Sequence, residues 1–264
     1  MEVIMRRYRN SLVVMSLGLL SGIIMAFTAG TMTDYAISEL FLFTYAGGMD
    51  YVSASSFIGM ILPMIALLGY CSNHFRMQLD QMGMCIFIRN EHRVKWTLKS
   101  LAQICALCFL YACVMAAGFV AYLLFTGNRP VGFTFYSAKP GILCLILTAT
   151  QYSLWLLLGN MFTLFREKWG GYSAVALYLF CCVMRMAFAQ KPSLLMALLN
   201  PTYHGQLVLY AENDVRHLQT LFQRALIEGL TLISSAVYLC VAIGVTAILI
   251  VKRVNGYEFI AAEE

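Results

Sequence analysis

Chemistry in this chain of 264 residues would have to come from few side chains, because Asp, Glu, Lys and Arg make up only 12% of it. A metal-dependent hydrolase needs His and Glu at helical spacing, whereas Glu91 and His92 are adjacent and His74, His204 and His217 stand far apart. Cys105 and Cys108 form a C-x-x-C, yet no second ligand pair of similar spacing accompanies them, so no metal site is expected. No Asp or Glu pair lies within the apolar runs, and no G-x-x-x-x-G-K-[ST] loop is present to cradle a nucleotide. The chain is therefore expected to be no enzyme and to bind no cofactor.

What remains is a small set of polar groups in apolar surroundings. Thr148, Gln151, Tyr152 and Trp155 follow i, i+3, i+4, i+7 spacing and so share one helix face. They suit either hydrogen bonding between helices or contact with a cargo. Arg185 sits in another apolar run. It can snorkel to the nearby outer surface, contact an acidic peptide, or pair with Glu228 or Asp50. Gln151, Tyr152, Trp155 and Arg185 are the candidate substrate path.

The elements that must hold these groups are long and apolar. Composition is 61% hydrophobic, and mean hydropathy is +0.74. Six runs, 11–30, 52–70, 101–125, 141–165, 172–190 and 230–251, each approach the ~20 residues that cross ~30 Å of hydrocarbon as helix. The fold class expected is all-α, a single transmembrane domain over residues 1–264. The first run follows Arg6, Arg7 and Arg9 but outlasts a signal-peptide core and lacks a clear cleavage site, so it reads as a retained span.

With the N-terminus inside, the inner segments hold twelve Lys and Arg and the outer segments five. That bias places both termini in the cytoplasm of a multi-pass protein of the cell membrane, read as a bacterial plasma membrane. The net charge of +5 then reflects topology, and no nucleic-acid partner is expected. Seven of the nine cysteines fall within spans and none in an outer loop, as for small apolar residues kept reduced.

Two connections are long. The inner one, 71–100, begins with a short helix capped by Asn73, with Phe75, Leu79 and Met82 on one face, ended by Gly83. Trp96 and Lys99 suit the interfacial zone at the start of the third span. The outer one, 191–229, contains helix-like stretches 193–199 and 217–227 that lie on or dip into the outer leaflet, with Tyr203, His204 and Tyr210 as interfacial side chains. Gly18, Gly22, Ala26 and Gly30 recur every four residues along the first span. Such a ridge lets another backbone approach closely, in a dimer or within the chain. Pro63, preceded by Ser53, Ser56 and Gly59, suggests a kinked second span lining a cavity.

The stretch from Phe75 to Gly83, followed by Ile86, Phe87, Ile88, Arg89, Asn90, Glu91, His92, Arg93, Val94, Lys95 and Trp96, resembles the loop between spans two and three of type-2 ATP-binding-cassette exporter permeases. The six spans, inner termini and helical outer segment extend the resemblance over the chain, and it looks closest to small permeases that handle amphipathic or antimicrobial peptides. The resemblance implies a separate ATPase subunit carrying ATP and Mg. It also implies a second permease copy, as a homodimer in a two-plus-two assembly. It makes residues 72–88 a cytoplasmic coupling helix, with Phe75, Leu79 and Met82 as apolar anchors and Arg76, Asp80, Arg89 and Arg93 as the charged rim. The alternatives are an ion-coupled secondary carrier and a peptide-sensing or immunity subunit.

Overall fold

In a computed structural model the described residues are 2–29, 35–46, 54–79, 93–126, 131–132, 135–166, 169–188, 193–210, 227 and 229–256, and no strand occurs among them. The helices are α1 (Glu2–Ala29), α2 (Ile37–Tyr45), α3 (Ala54–Cys71), α4 (residues 74–79), α5 (Arg93–Thr126), α6 (Phe135–Phe165), α7 (Gly170–Ala187), α8 (Leu194–Leu199) and α9 (Leu232–Asn255). Six of them, α1, α3, α5, α6, α7 and α9, are long and apolar enough to cross a membrane. Each overlaps one of the six expected runs.

Among the six, α6 is the helix that packs against the most others. α6 touches α3, α5, α7 and α9, while α1 bridges α5 and α3, and α3 adjoins α7. Sequence accounts for the central place: Leu154, Trp155, Leu156 and Leu157 are consecutive and all buried, and a helix apolar all round belongs inside. α9 shows the opposite pattern. Val237, Val241, Val245 and Ile248, at helical spacing, form an exposed apolar stripe, while Leu239, Thr246 and Ile250 face inward. Phe27, Ile58, Phe109, Ile146 and Phe180 continue this exposed apolar surface on the other long helices.

The two ends of the bundle differ. At one end the start of α5 meets the end of α9, where Arg93 donates to the Asn255 carbonyl at 3.1 Å. Arg253, from the last turn of α9, donates to the Leu164 carbonyl at 3.2 Å and lies over the Phe165 ring. α4 and the α6–α7 turn share this end. The opposite end carries two short inserted elements, α2 and the segment 193–210.

α2 was expected to be part of an outer loop, and it is instead a buried helix. Ile37, Leu40, Phe41, Leu42 and Tyr45 are all enclosed. Its start is fixed by the Glu39 carboxylate, which accepts the Ala36 N–H at 2.8 Å. Ser38 ties it to the α5–α6 connection: its N–H donates to the Val131 carbonyl and its hydroxyl to the Gly132 carbonyl at 2.9 Å. Gly132 has φ +64°, where a Cβ would strain the chain, and it turns its carbonyl toward Ser38. Nine apolar-rich residues are too short to span, but burying them between α5 and α6 removes their surface from water as effectively.

Candidate functional site

The turn between α3 and α4 is where a helix end would leave main-chain groups without partners, and α6 supplies them. Asn160, fully buried, accepts the Phe75 N–H at 3.1 Å and donates to the Cys71 carbonyl at 3.0 Å and the Leu156 carbonyl at 2.9 Å. One turn on, the Thr163 hydroxyl donates to the Ser72 carbonyl at 2.8 Å. The α6–α7 turn closes over the same point, because Gly170 lies against the backbone of Phe162 and Thr163, and a Cβ on Gly171 would stand 2.7 Å from the Ser72 hydroxyl oxygen. The Phe75 ring meets Trp96, in the first turn of α5, edge-on at 6.0 Å. This elbow is thus welded to α5, α6 and α7.

That geometry corrects one expectation. Phe75 is 0% exposed and Leu79 1%, so two of the three apolar residues assigned to a partner's groove point into the chain's own core. Met77, 48% exposed, is the outward apolar residue of α4. Arg76 is half-buried beside it. Arg93 holds α9, as described, while Asp80, Met82 and Arg89 lie outside the described residues.

The small-residue ridge is intrachain. Gly18 packs on Tyr111, and a Cβ on Gly22 would run into the Met115 carbonyl of α5. Gly118 returns the contact against the Leu19 carbonyl, and Ala26 is fully buried. The Tyr111 hydroxyl reaches across this seam to the Pro63 carbonyl at 3.0 Å and lies 3.0 Å from the Ser21 hydroxyl, joining α1, α5 and α3. Gly30 lies outside the described residues.

Toward the α2 end the bundle has a partly open cavity of about 50 Å³, space for a few water molecules or one small polar group. Met25, Ile61 and Met115 form its apolar wall. Its polar lining comes from Tyr45 of α2, Thr148, Gln151 and Tyr152 of α6, Tyr178 and Arg185 of α7, and Gln206. Gln151, Tyr152 and Arg185, three of the four residues picked out as a path, therefore meet at one place. Trp155, the fourth, stands behind this lining, its ring edge-on to Tyr178 at 5.1 Å. Arg185 does not snorkel outward. It is 6% exposed and donates to the Thr202 carbonyl at 3.0 Å. Asp50 and Glu228 lie outside the described residues.

Segment 193–210 roofs the cavity. Asn200 donates to the Cys181 carbonyl at 2.7 Å and Gln151 to the Pro201 carbonyl at 3.4 Å. Gly205 lies so close to the Gln151 amide that no side chain fits there. His204 is buried, its Nε2–H donating to the Ala197 carbonyl at 2.9 Å and its Nδ1 accepting from Ser235 at 3.0 Å, with the ring stacked on Tyr238 at 3.8 Å. Burial pushes its pKa down to about 4, so the imidazole is neutral. The Tyr210 hydroxyl donates to the His204 carbonyl at 2.6 Å. Tyr203, His204 and Tyr210 are thus interior residues and not interfacial ones.

No protein-family model, no curated protein and no solved structure matches this chain. Its site is therefore read from its own geometry. Among the described residues no group of His, Cys, Asp or Glu could hold a metal ion, and the eight described cysteines are free thiols. Sequence reasoning missed Asn160, Thr163, Tyr45, Tyr178 and Gln206. Asn160 had a usable signal, since a lone carboxamide inside an apolar span must find partners there. Tyr45 and Gln206 had none, because nothing local shows that both connections fold into the bundle.

Proposed function

We propose that the chain is the membrane-embedded permease subunit of an ATP-binding-cassette exporter, moving a hydrophobic or amphipathic cargo, of peptide class, with energy from a separate ATPase. The exposed apolar faces of the long helices are suited to lipid. The end bearing α4 would face the cytoplasm, as the Lys and Arg bias indicates. The observation that carries the reading is the elbow. A push on the segment beginning at Arg76 and Met77 would pass through Asn160 and Thr163 into the central helix, and α6 also lines the cavity. Nucleotide-driven closure of a partner beneath α4 could in this way rearrange Gln151 and the roof held by it. A second permease copy would meet the exposed faces of α1 and α7, since the Gly18–Ala26 ridge is already used within the chain.

An ion-coupled carrier is the second reading, favoured by the burial of Arg185 at the cavity. Arginine holds its proton throughout the physiological range, so it would attract an anion and could not cycle a proton. Co-expression with the adjacent reading frames, searched for a phosphate-loop ATPase, separates the two readings. An exporter subunit co-purifies with that ATPase and confers peptide-stimulated hydrolysis, whereas a carrier or a pure sensor does not couple hydrolysis to transport into inverted vesicles.

A further inference from the structure

We propose that the end of the bundle where α6 and α9 finish is a binding site for one anionic phospholipid, its phosphodiester held by Arg166, Lys252 and Arg253 and an acyl chain laid along the exposed stripe of α9. The proposal needs the chain to be membrane-embedded and is independent of the exporter reading.

The headgroup part begins with Arg253. Its Nε–H donates to the Leu164 carbonyl at 3.2 Å, and its guanidinium carbon lies 5.4 Å from the centre of the Phe165 ring. These contacts fix the side chain at the last turn of α6 and leave its Nη groups without a hydrogen bond or ion pair among the described residues. Arg166 follows Phe165 directly, Lys252 precedes Arg253, and both are exposed. Neither side chain has a hydrogen bond or ion pair among the described residues. Like charges gathered at two helix ends repel one another, and an anion between them relieves that repulsion. A guanidinium fork matches phosphate oxygens in geometry as well as charge.

The surroundings select a lipid over a soluble anion. Trp169 and Tyr172, with rings 6.1 Å apart, are 71% and 72% exposed. The Gly170 N–H donates to the Arg166 carbonyl at 2.8 Å, which keeps Trp169 within one turn of the cations. Exposed Trp and Tyr beside basic residues suit the headgroup level of a bilayer. On α9, Val237, Val241, Val245 and Ile248 lead at helical spacing to Lys252, so an acyl chain on that stripe brings its phosphate to the ammonium. A zwitterionic headgroup carries its own cation, which these three residues would repel. The Lys and Arg bias places this end at the cytoplasmic leaflet, where anionic lipids collect basic side chains.

Thermal unfolding of the delipidated full chain in dodecyl maltoside, titrated with dioleoylphosphatidylglycerol, tests the site, with dioleoylphosphatidylcholine as the matched control. A saturable stabilisation by the anionic lipid alone is expected. One basic residue near a charged headgroup is worth about fivefold in affinity, so Arg166→Gln with Lys252→Gln should raise the midpoint about twentyfold. The melting temperature before lipid is added should stay at the native value, since these two side chains bond nothing among the described residues. Arg253→Gln should raise the midpoint about fivefold, and the double variant decides the matter if loss of the Leu164 contact prevents folding. Lys95→Gln with Lys99→Gln, which removes the same charge from the exposed start of α5, should leave the midpoint within about twofold. Equal stabilisation by the two lipids, no response to the anionic one, or equal shifts in the two double variants would overturn the proposal, the last in favour of diffuse attraction. So would full stabilisation by glycerol 1-phosphate alone, which would mark an anion site with no lipid in it.

Discussion

Asn160 and His204 each satisfy main-chain groups that the fold would otherwise strand, and each gives a measurable consequence. Asn160→Leu leaves the buried Phe75 N–H and Cys71 carbonyl without their partner, which should cost about 3 kcal/mol. Thr163→Val, losing one hydrogen bond to Ser72, should cost about 1 kcal/mol. Equilibrium unfolding of the detergent-solubilised protein in SDS checks both. His204 adds a dependence on pH. Its pKa is about 4 in the folded chain against ~6.5 when unfolded. Protonation therefore favours the unfolded state. The contribution is complete above about pH 6.5 and is lost as pH falls toward about 4. A scan of melting temperature should show that decline in the native chain and a shallower one in His204→Gln. The histidine's burial could not be read from sequence, where an outer-loop His beside two tyrosines looks interfacial. Gln151, Tyr152 and Arg185 could be picked out, because polar groups in apolar runs are costly and must serve some purpose.

At the scale of elements, the long helices were legible and the short ones were not. Six apolar runs of spanning length leave little choice of structure, since a helix is the form that satisfies its own backbone in an apolar setting. α2 and the roof are set by tertiary burial and by hydrogen bonds to distant carbonyls, which no local pattern encodes. The Gly ridge shows the limit from the other side: Gly18, Gly22 and Ala26 declare a close helix contact, yet only the fold says that α5 is the partner. Gly22→Ala should accordingly lower stability by roughly 2–3 kcal/mol through overpacking against the Met115 carbonyl. A loss of dimerisation with unchanged melting would contradict the intrachain assignment. α4 gives a paired expectation. Phe75→Asp buries a charge in the core and should abolish the folded, monodisperse protein. Met77→Asp, on the outward face, should leave the melting temperature within a few degrees of the native value.

For the whole molecule, the account joins a cavity at one end to an elbow at the other through α6, with Asn160 and Thr163 near its finish and Gln151 and Tyr152 near its middle. One rigid central helix touching both is the arrangement that lets work done on α4 reach the roof. The claim that such work comes from a nucleotide-hydrolysing partner is tested most directly by co-purification with any phosphate-loop ATPase found in the adjacent reading frames, native against Met77→Asp. The expected result is a stable complex for the native chain, peptide-stimulated ATP hydrolysis in that complex, and loss of both in Met77→Asp while the chain itself stays folded. A native chain that retains no ATPase, or a complex indifferent to Met77→Asp and to Arg76→Glu together, would contradict it.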